Sequence, residues 1–331
     1  MKKSLTALAV LAASGAAMAQ SSVTVYGRLD GSVGSIKKLG GTSDNKMFSG
    51  GDVGLTTPRL GFRGTEDLGG GLKANFKLEQ RLNIDTGETQ SPSFKGETTV
   101  GLSGGFGAVR VGRMLTVYDD VRGLANSRNL WDSNTFTPNS AVFKTISSTK
   151  TKNADYTSRA NSQIRYELPE MGGFYGALTY AFEQTAGAKD TISGLMAGYK
   201  IGGLNAALGY QNEKTKNKYT TLAAAYDFGA FAVSAGYNTR KGAVAADGKD
   251  TEYDIGVEVP FGALSLSAGY AMGETKEVSK PAKSSGFGIG ARYALSKRTS
   301  VYGGYSAVQE KTLGVKSADT KVFAFGMRHD F

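Results

Sequence analysis

The chain has 331 residues, with 46 Gly, 6 Pro and no Cys, and 39 Lys and Arg against 29 Asp and Glu. Without cysteine there is no disulfide framework and no thiolate metal site, no metal cluster is expected, and no stretch after residue 20 is apolar enough for a membrane helix. The formal charge of +10 raises nucleic acid as a partner, but the lysines are scattered through polar connections rather than gathered in a stripe, so no nucleic acid is expected.

Lys2 and Lys3 precede an apolar run over 5–11, and small residues lead to Ala17-Met18-Ala19. This is the layout of a secretory signal peptide over 1–19 with cleavage before Gln20. Loss of the two lysines lowers the charge from +10 to +8. No linker or composition break divides the remainder, so 20–331 is expected to be a single unit.

From there alternation with period two recurs to the end. In 23–30, Val23, Val25 and Leu29 share one face, and Thr24, Tyr26, Arg28 and Asp30 the other. In 72–82, Leu72, Ala74, Phe76, Leu78 and Leu82 oppose Lys73, Asn75, Lys77, Glu79 and Arg81, with Gln80 the exception. Later runs repeat the pattern, among them Leu204, Ala206, Leu208 and Tyr210, then Tyr253, Ile255, Val257 and Val259. Sixteen such segments are countable, centred near 28, 61, 77, 100, 111, 164, 178, 196, 208, 223, 234, 255, 268, 290, 304 and 326. Short connections (67–71, 103–107, 169–173, 201–203, 228–230, 260–263, 296–298) alternate with long polar ones such as 240–250 and 273–284. Phe106, Phe228 and Phe261 each begin an F-G-A turn, and Tyr180, Tyr210, Tyr237, Tyr270 and Tyr293 end outward runs.

These features predict an all-β fold: a transmembrane antiparallel β-barrel of 16 strands with short periplasmic turns, long extracellular loops and aromatic girdles. A soluble β-sandwich also alternates, but at this length it would need two domains and an apolar core. Here the apolar face is thin and the opposite face is charged, small or Gly. Closure leaves no unpaired strand edge in the bilayer.

The chain resembles the Gram-negative general porins of betaproteobacterial type. The resemblance rests on Ser22-Val23-Thr24-Val25-Tyr26-Gly27, on the block from Pro58-Arg59-Leu60-Gly61-Phe62-Arg63-Gly64 to Leu72-Lys73-Ala74, and on Asn83-Ile84-Asp85-Thr86-Gly87. Val100-Gly101-Leu102-Ser103, Val111-Gly112-Arg113 and the terminal Arg328-His329-Asp330-Phe331 extend it over nearly the whole mature chain. It implies a homotrimer in the cell outer membrane and a third loop folded into the lumen. It also implies passive diffusion of small hydrophilic solutes and ions, and a terminal Phe331 read as a signal by the barrel assembly machinery. The Pro-Glu-Phe-Gly-Gly loop tip common in the family is absent here, and Gly96 stands where an arginine is common.

The third loop is placed at 116–151, the longest segment without alternation, with Asp119, Asp120, Arg122, Arg128, Trp131 and Asp132. Asp119 and Asp120 are expected to form the acidic side of a pore constriction. Its basic side is expected from Arg28, Arg59, Arg63, Lys77 and Arg81 on polar faces of the first strands, and from Arg159 in the family's R-x-N-S context. Rings of basic side chains attract anions, and a constriction narrower than the screening length of about 8 Å leaves them effective. Arg113 has outward parity. Because a lipid-facing arginine is costly, it is expected at the trimer interface under a neighbour's second loop, near Glu88 to Phe94. Rim lysines 214, 216, 276, 280, 311 and 316 could meet lipopolysaccharide phosphates.

No enzyme is expected, since the one histidine is His329 in the last strand, and no cofactor is implied. Gly286-Phe287-Gly288-Ile289-Gly290 lacks the helix that a nucleotide-binding turn requires. An alternative function is a substrate-specific channel for a small anionic solute. Tyr26, Tyr175 and Tyr302 have the inward parity that such a channel needs, but lie far apart in sequence.

Overall fold

The computed structural model describes residues 22–50, 53–125, 156–242, 248–276 and 281–331. The expected signal segment 1–19 lies outside them, as do Arg128, Trp131, Asp132 and Lys280. The strands are β1 (Ser22–Lys38), β2 (Ser43–Ser49), β3 (Arg59–Gly69), β4 (Leu72–Arg81), β5 (Glu97–Gly104) and β6 (Gly107–Leu115). A helix, α1 (Val117–Ala125), follows. Then come β7 (Arg159–Glu167), β8 (Phe174–Ala181), β9 (Ile192–Ile201), β10 (Leu204–Glu213), β11 (Asn217–Asp227) and β12 (Ala232–Gly242). The chain ends with β13 (Lys249–Phe261), β14 (Leu264–Lys276), β15 (Ala282–Ala294), β16 (Thr299–Thr312) and β17 (Val315–Asp330).

The strands form one antiparallel sheet, and β17 returns to pair with β1 from Arg28↔Asp330 to Lys38↔Thr320. The sheet is therefore a closed barrel. At the seam the terminal residue completes the ladder: Gly27 and Phe331 exchange two backbone hydrogen bonds of 3.0 Å. The Phe331 ring lies against Gly27, where a Cβ would come within 2.2 Å of its Cζ.

The sixteen expected barrel strands are present, and among the described residues one further strand, β2, is added to them. One edge of the long β1 is shared between two partners: β3 pairs with 22–28, and β2 with 31–37. β2 and β3 thus fill one position of a sixteen-position barrel. The sequence Ser43–Ser49 carries no alternation because its residues are exposed up to Met47. Between β2 and β3 the chain leaves the sheet and packs inside the lumen. Val53 and Leu55 are buried there with Phe48, Tyr302, Val322 and Ala324. The lumenal face is accordingly not wholly polar, as alternation alone had implied.

Outside, Val23, Val25, Val100, Leu102, Leu178, Leu195, Leu222, Ile255 and Phe325 are exposed. This is the inverted pattern of a barrel whose outer solvent is lipid. Aromatic contacts gather near the short turns, with Phe174 on Tyr199 at 4.4 Å and Phe228 on Tyr226 and Phe231 at 4.4 and 4.7 Å. A second set, Tyr180–Phe182 and Tyr237–Tyr253, lies toward the other rim. The ends of the two connections placed at 240–250 and 273–284 belong to strands, since β12 and β13 run to Gly242 and from Lys249, and β14 and β15 to Lys276 and from Ala282. β16 and β17 join through Leu313 and Gly314, both at positive φ (53° and 81°), the backbone required by a two-residue hairpin turn.

Deleting Phe331 removes two seam hydrogen bonds, each worth about 0.5–1.5 kcal/mol, together with the ring on Gly27. The expected result is a marked loss of heat-modifiable barrel on gels of purified outer membranes. Undiminished barrel would show that the seam closes without it.

Candidate functional site

The lumenal faces of three neighbouring strand positions carry a row of arginines. Arg28 on β1 lies directly opposite Arg59 on β3, and Arg59 opposite Arg81 on β4. Like charges directly opposite one another are destabilising, so the row needs partners. Asp330 accepts from Arg28 Nε at 2.5 Å and from Arg328 Nη2 at 2.8 Å. Glu79 is buried between two of the arginines, 3.0 Å from Arg81 Nη2 and 3.7 Å from Arg59 Nη1. It also accepts a hydrogen bond from Tyr26 Oη at 3.1 Å. Arg63, further along β3, is exposed; its guanidinium stands 5.2 Å over the Tyr26 ring, with no acidic partner among the described residues. Among the described ion pairs, Arg28 and Arg328 share Asp330 and Arg59 and Arg81 share Glu79, while Arg63 joins neither, so five basic side chains stand beside two carboxylates.

The inward segment after β2 holds this row. Asp30 Oδ2 accepts from the backbone amides of Leu55 and Thr56 at 3.1 and 2.9 Å, and its Oδ1 from Tyr302 Oη. Thr56 is thereby fixed so that its Oγ1 accepts from Arg59 Nη2 at 2.9 Å and Arg28 Nη1 at 3.4 Å. An acceptor shared by two guanidinium groups keeps them together without adding a charge.

A second network adjoins the first and is balanced. Lys77 and Arg110 both pair with Glu97, at 2.8 and 3.0 Å. Arg110 and Arg165 share Glu167 at 2.6 and 2.9 Å, and Arg165 reaches Asp120 at 2.5 Å. Three basic groups here meet three carboxylates. Asp120 is thus bound to β7 and does not oppose the arginine row as a free charge.

Helix α1 lies inside the barrel. Its Val117, Val121 and Ala125 recur every four residues and form one helical face. The wall opposite is built of small residues. A Cβ on Gly194 would meet Val117 at 2.6 Å, one on Gly209 would meet Val121 at 3.1 Å, and one on Gly236 would meet Ala125 at 2.6 Å. Ala207 and Ala223 complete the seat. Tyr118 packs against Tyr156 and Tyr219, with centroids at 4.8 and 5.5 Å. Ser234 Oγ donates to the Ala125 carbonyl at 2.6 Å, satisfying one end of the helix. Tyr156 Oη donates to Asp119 at 2.6 Å, and Arg122 donates to Tyr156 Oη at 3.2 Å and to Glu252 at 3.5 Å. Burial pushes the Asp119 carboxyl up to about 6, against the opposing pull of the Tyr156 hydroxyl and of Arg159 and Arg122.

The structure thus brings Arg28, Arg59, Arg63 and Arg81 together, pairs Lys77 with Glu97, and leaves Arg159 apart from them. Arg159 opens β7 opposite Leu115 and acts electrostatically on Asp119 and Arg113. Gly96 leaves room for Glu79, whose Oε1 would lie 2.5 Å from a Cβ there. Arg113 is on the outward side of β6, and within its own chain its guanidinium donates to the Lys95 carbonyl at 3.1 Å and to Asn161 Oδ1 at 2.6 Å. His329 meets only Thr299, at 2.9 Å, among the described side chains. Arg110, Arg165 and Arg328 join these networks, and their parity relative to Val111, Ile164 and Met327 places them inward in the sequence as well. Asp30 shares the inward parity of Arg28, but its partner Thr56 carries no such signal, because the inward segment that holds it is not a strand.

These features define a closed β-barrel with a charged lumen narrowed by an internal helix: a membrane channel. A sequence profile of the Gram-negative porins matches residues 4–313. The chain is 37% identical to outer membrane porin protein 32 of Delftia acidovorans, over 99% of this chain and 95% of that protein. It is 31% identical to the major outer membrane protein P.IB of Neisseria meningitidis over the full length of both. The anion-selective porin from Comamonas acidovorans superimposes with a TM-score of 0.80 at 30% identity, covering 94% of this chain and all of that one. The chain belongs to the Gram-negative porin family and is an outer-membrane β-barrel channel.

Replacing Gly209 with Leu would force a side chain between Thr221 and Val121. Overpacking of this kind costs about 1–3 kcal/mol, and the cheapest relief is displacement of α1 into the water path. The expected outcome is lower single-channel conductance from a folded barrel; unchanged conductance would mean that the helix does not narrow the pore.

Proposed function

We propose that this porin is a general diffusion channel for small hydrophilic solutes with a preference for anions, working as a homotrimer. The observation that carries the preference is the unequal sharing of charge in the arginine row: five basic groups to two carboxylates, beside a second network that balances. Asp30, behind the row and hydrogen-bonded to Thr56 N, reduces the excess when ionised but does not cancel it. A narrow lumen with low-dielectric walls concentrates the field of such groups, and arginines remain charged at every working pH. The family relationship and the similarity to the anion-selective porin from Comamonas acidovorans support the same reading. Asp119 and Asp120 belong to the constriction in this reading, one titrating near the operating pH and one neutralised by Arg165. Arg159 acts there through Asp119, and Lys77 by holding Glu97.

The trimer part of the proposal rests on family membership and on Arg113, an arginine on the outer wall whose polar cover is partial. Phe331 is proposed as the feature read during assembly, and the exposed rim lysines as contacts for lipopolysaccharide phosphates.

In planar bilayers under a KCl gradient, the wild-type reversal potential should report anion preference. Changing Arg59 and Arg63 together to Glu exchanges two positive charges for two negative ones and should reverse its sign. Cation preference in the wild type, or an unmoved potential in the variant, would sink the reading.

Lowering pH from 7.5 to 5 should neutralise Asp119, because its raised value of about 6 lies within that range and leaves it mostly charged at the upper end and mostly protonated at the lower. Anion preference should rise over this interval, and Asp119→Asn should diminish the step. A pH-independent wild type would overturn the assignment.

Extraction in mild detergent should yield a species of three times the chain mass by light scattering, and Arg113→Glu should weaken it. A monodisperse monomer would reject the assembly.

A further inference from the structure

Below helix α1, at the rim that carries the short turns, the lumenal wall contains a pocket of about 260 Å³ lined by Asp120, Val121, Leu124, Tyr175, Met196, Lys200, Asn205 and Ala207. Its volume equals that of about nine liquid waters. The walls divide by chemistry. Val121, Leu124, Met196 and Ala207 make one side apolar. Lys200 and Asn205 stand directly opposite each other on β9 and β10 and make the other side a donor surface.

That donor surface is built. The Tyr175 ring is laid on the wall over Gly198, where a Cβ would lie 2.2 Å from its Cζ. Its hydroxyl donates to Asn205 Oδ1 at 2.7 Å. With its oxygen so occupied, the Asn205 amide presents its NH₂ donors. Lys200 Nζ stands 4.7 Å over the face of the same ring. Its one ion pair among the described residues, with Glu170 at 4.0 Å, is half-exposed on both sides, the kind of pair that contributes little. Asp120, the acidic group in the lining, is already bound by Arg165 at 2.5 Å, so it does not occupy the ammonium.

We infer that this pocket is a second anion station on the periplasmic side of the constriction, selective for small monocarboxylates with an apolar body. The carboxylate would accept from Lys200 and Asn205, and the body would lie on Leu124 and Met196. Inorganic anions gain only the donor side. A dicarboxylate must place its second charge against Leu124, Met196 or the Asp120 carboxylate. The inference deepens the anion-channel reading and rests on it, but it uses different residues from the arginine row.

The test is occlusion of single-channel KCl current in bilayers by acetate, hexanoate and succinate at equal concentrations, added to the short-turn side. Hexanoate should block or add current noise at lower concentration than acetate or succinate. Lys200→Gln should weaken the hexanoate effect about tenfold, the equivalent of one charge-assisted hydrogen bond. Met196→Ala should weaken hexanoate while leaving acetate little changed. Equal potency of hexanoate and acetate in the wild type would overturn the station, as would a Lys200→Gln channel blocked as well as the wild type. Neither result touches the general anion preference, which the KCl reversal potential measures without any carboxylate. A cation-preferring reversal potential would defeat that reading instead, whatever hexanoate does.

Discussion

Everything in this barrel depends on the pairing of its last strand with its first. In hydrocarbon no water is available to satisfy a strand edge, so a spanning sheet must close. β17 closes it along β1, and Phe331 completes the ladder with two backbone bonds to Gly27. Once the sheet is closed, each side chain is assigned to lipid or lumen by parity alone. The lumen then becomes a small volume in which polar, charged and buried groups must all find partners.

The arginine row is the result of that confinement. Placing Arg28, Arg59 and Arg81 opposite one another is locally unfavourable, and the barrel offsets it with a few well-placed acceptors rather than with matching charge. Buried Glu79 serves two arginines and a tyrosine. Thr56 bridges two guanidinium groups through a neutral oxygen, and Thr56 itself is held by Asp30. Partial compensation keeps the guanidinium groups ordered and leaves positive potential for the solute. Complete compensation, as in the network from Lys77 to Asp120, gives order without that potential.

Helix α1 shows a steric version of the same economy. A helix inside a barrel removes space from the channel, and how much depends on how closely it seats. Gly194, Gly209 and Gly236 let Val117, Val121 and Ala125 approach the wall where any larger residue would meet them. In sequence these glycines read as small inward residues of ordinary strands. Their purpose is visible only from the helix that lies on them.

Much of the architecture was legible in the chain itself. Period-two alternation, the rhythm of turns and the aromatic positions determined an outward apolar face, an inward polar face and sixteen barrel positions, because parity and strand length are local properties that a lipid exterior strictly enforces. The inward direction of Arg28, Arg59, Arg63, Lys77 and Arg81 followed from the same parity, and that of Arg110, Arg165 and Arg328 was equally available. What only the tertiary structure decided was which inward groups meet. Neither parity nor spacing reveals that Asp120 is taken by Arg165, that Arg113 donates to the Lys95 carbonyl of its own chain, or that the chain after β2 turns into the lumen to join Asp30 and Thr56. Those partnerships span strands far apart in sequence and depend on barrel closure and on the non-repetitive path of segments inside it, which no local period encodes.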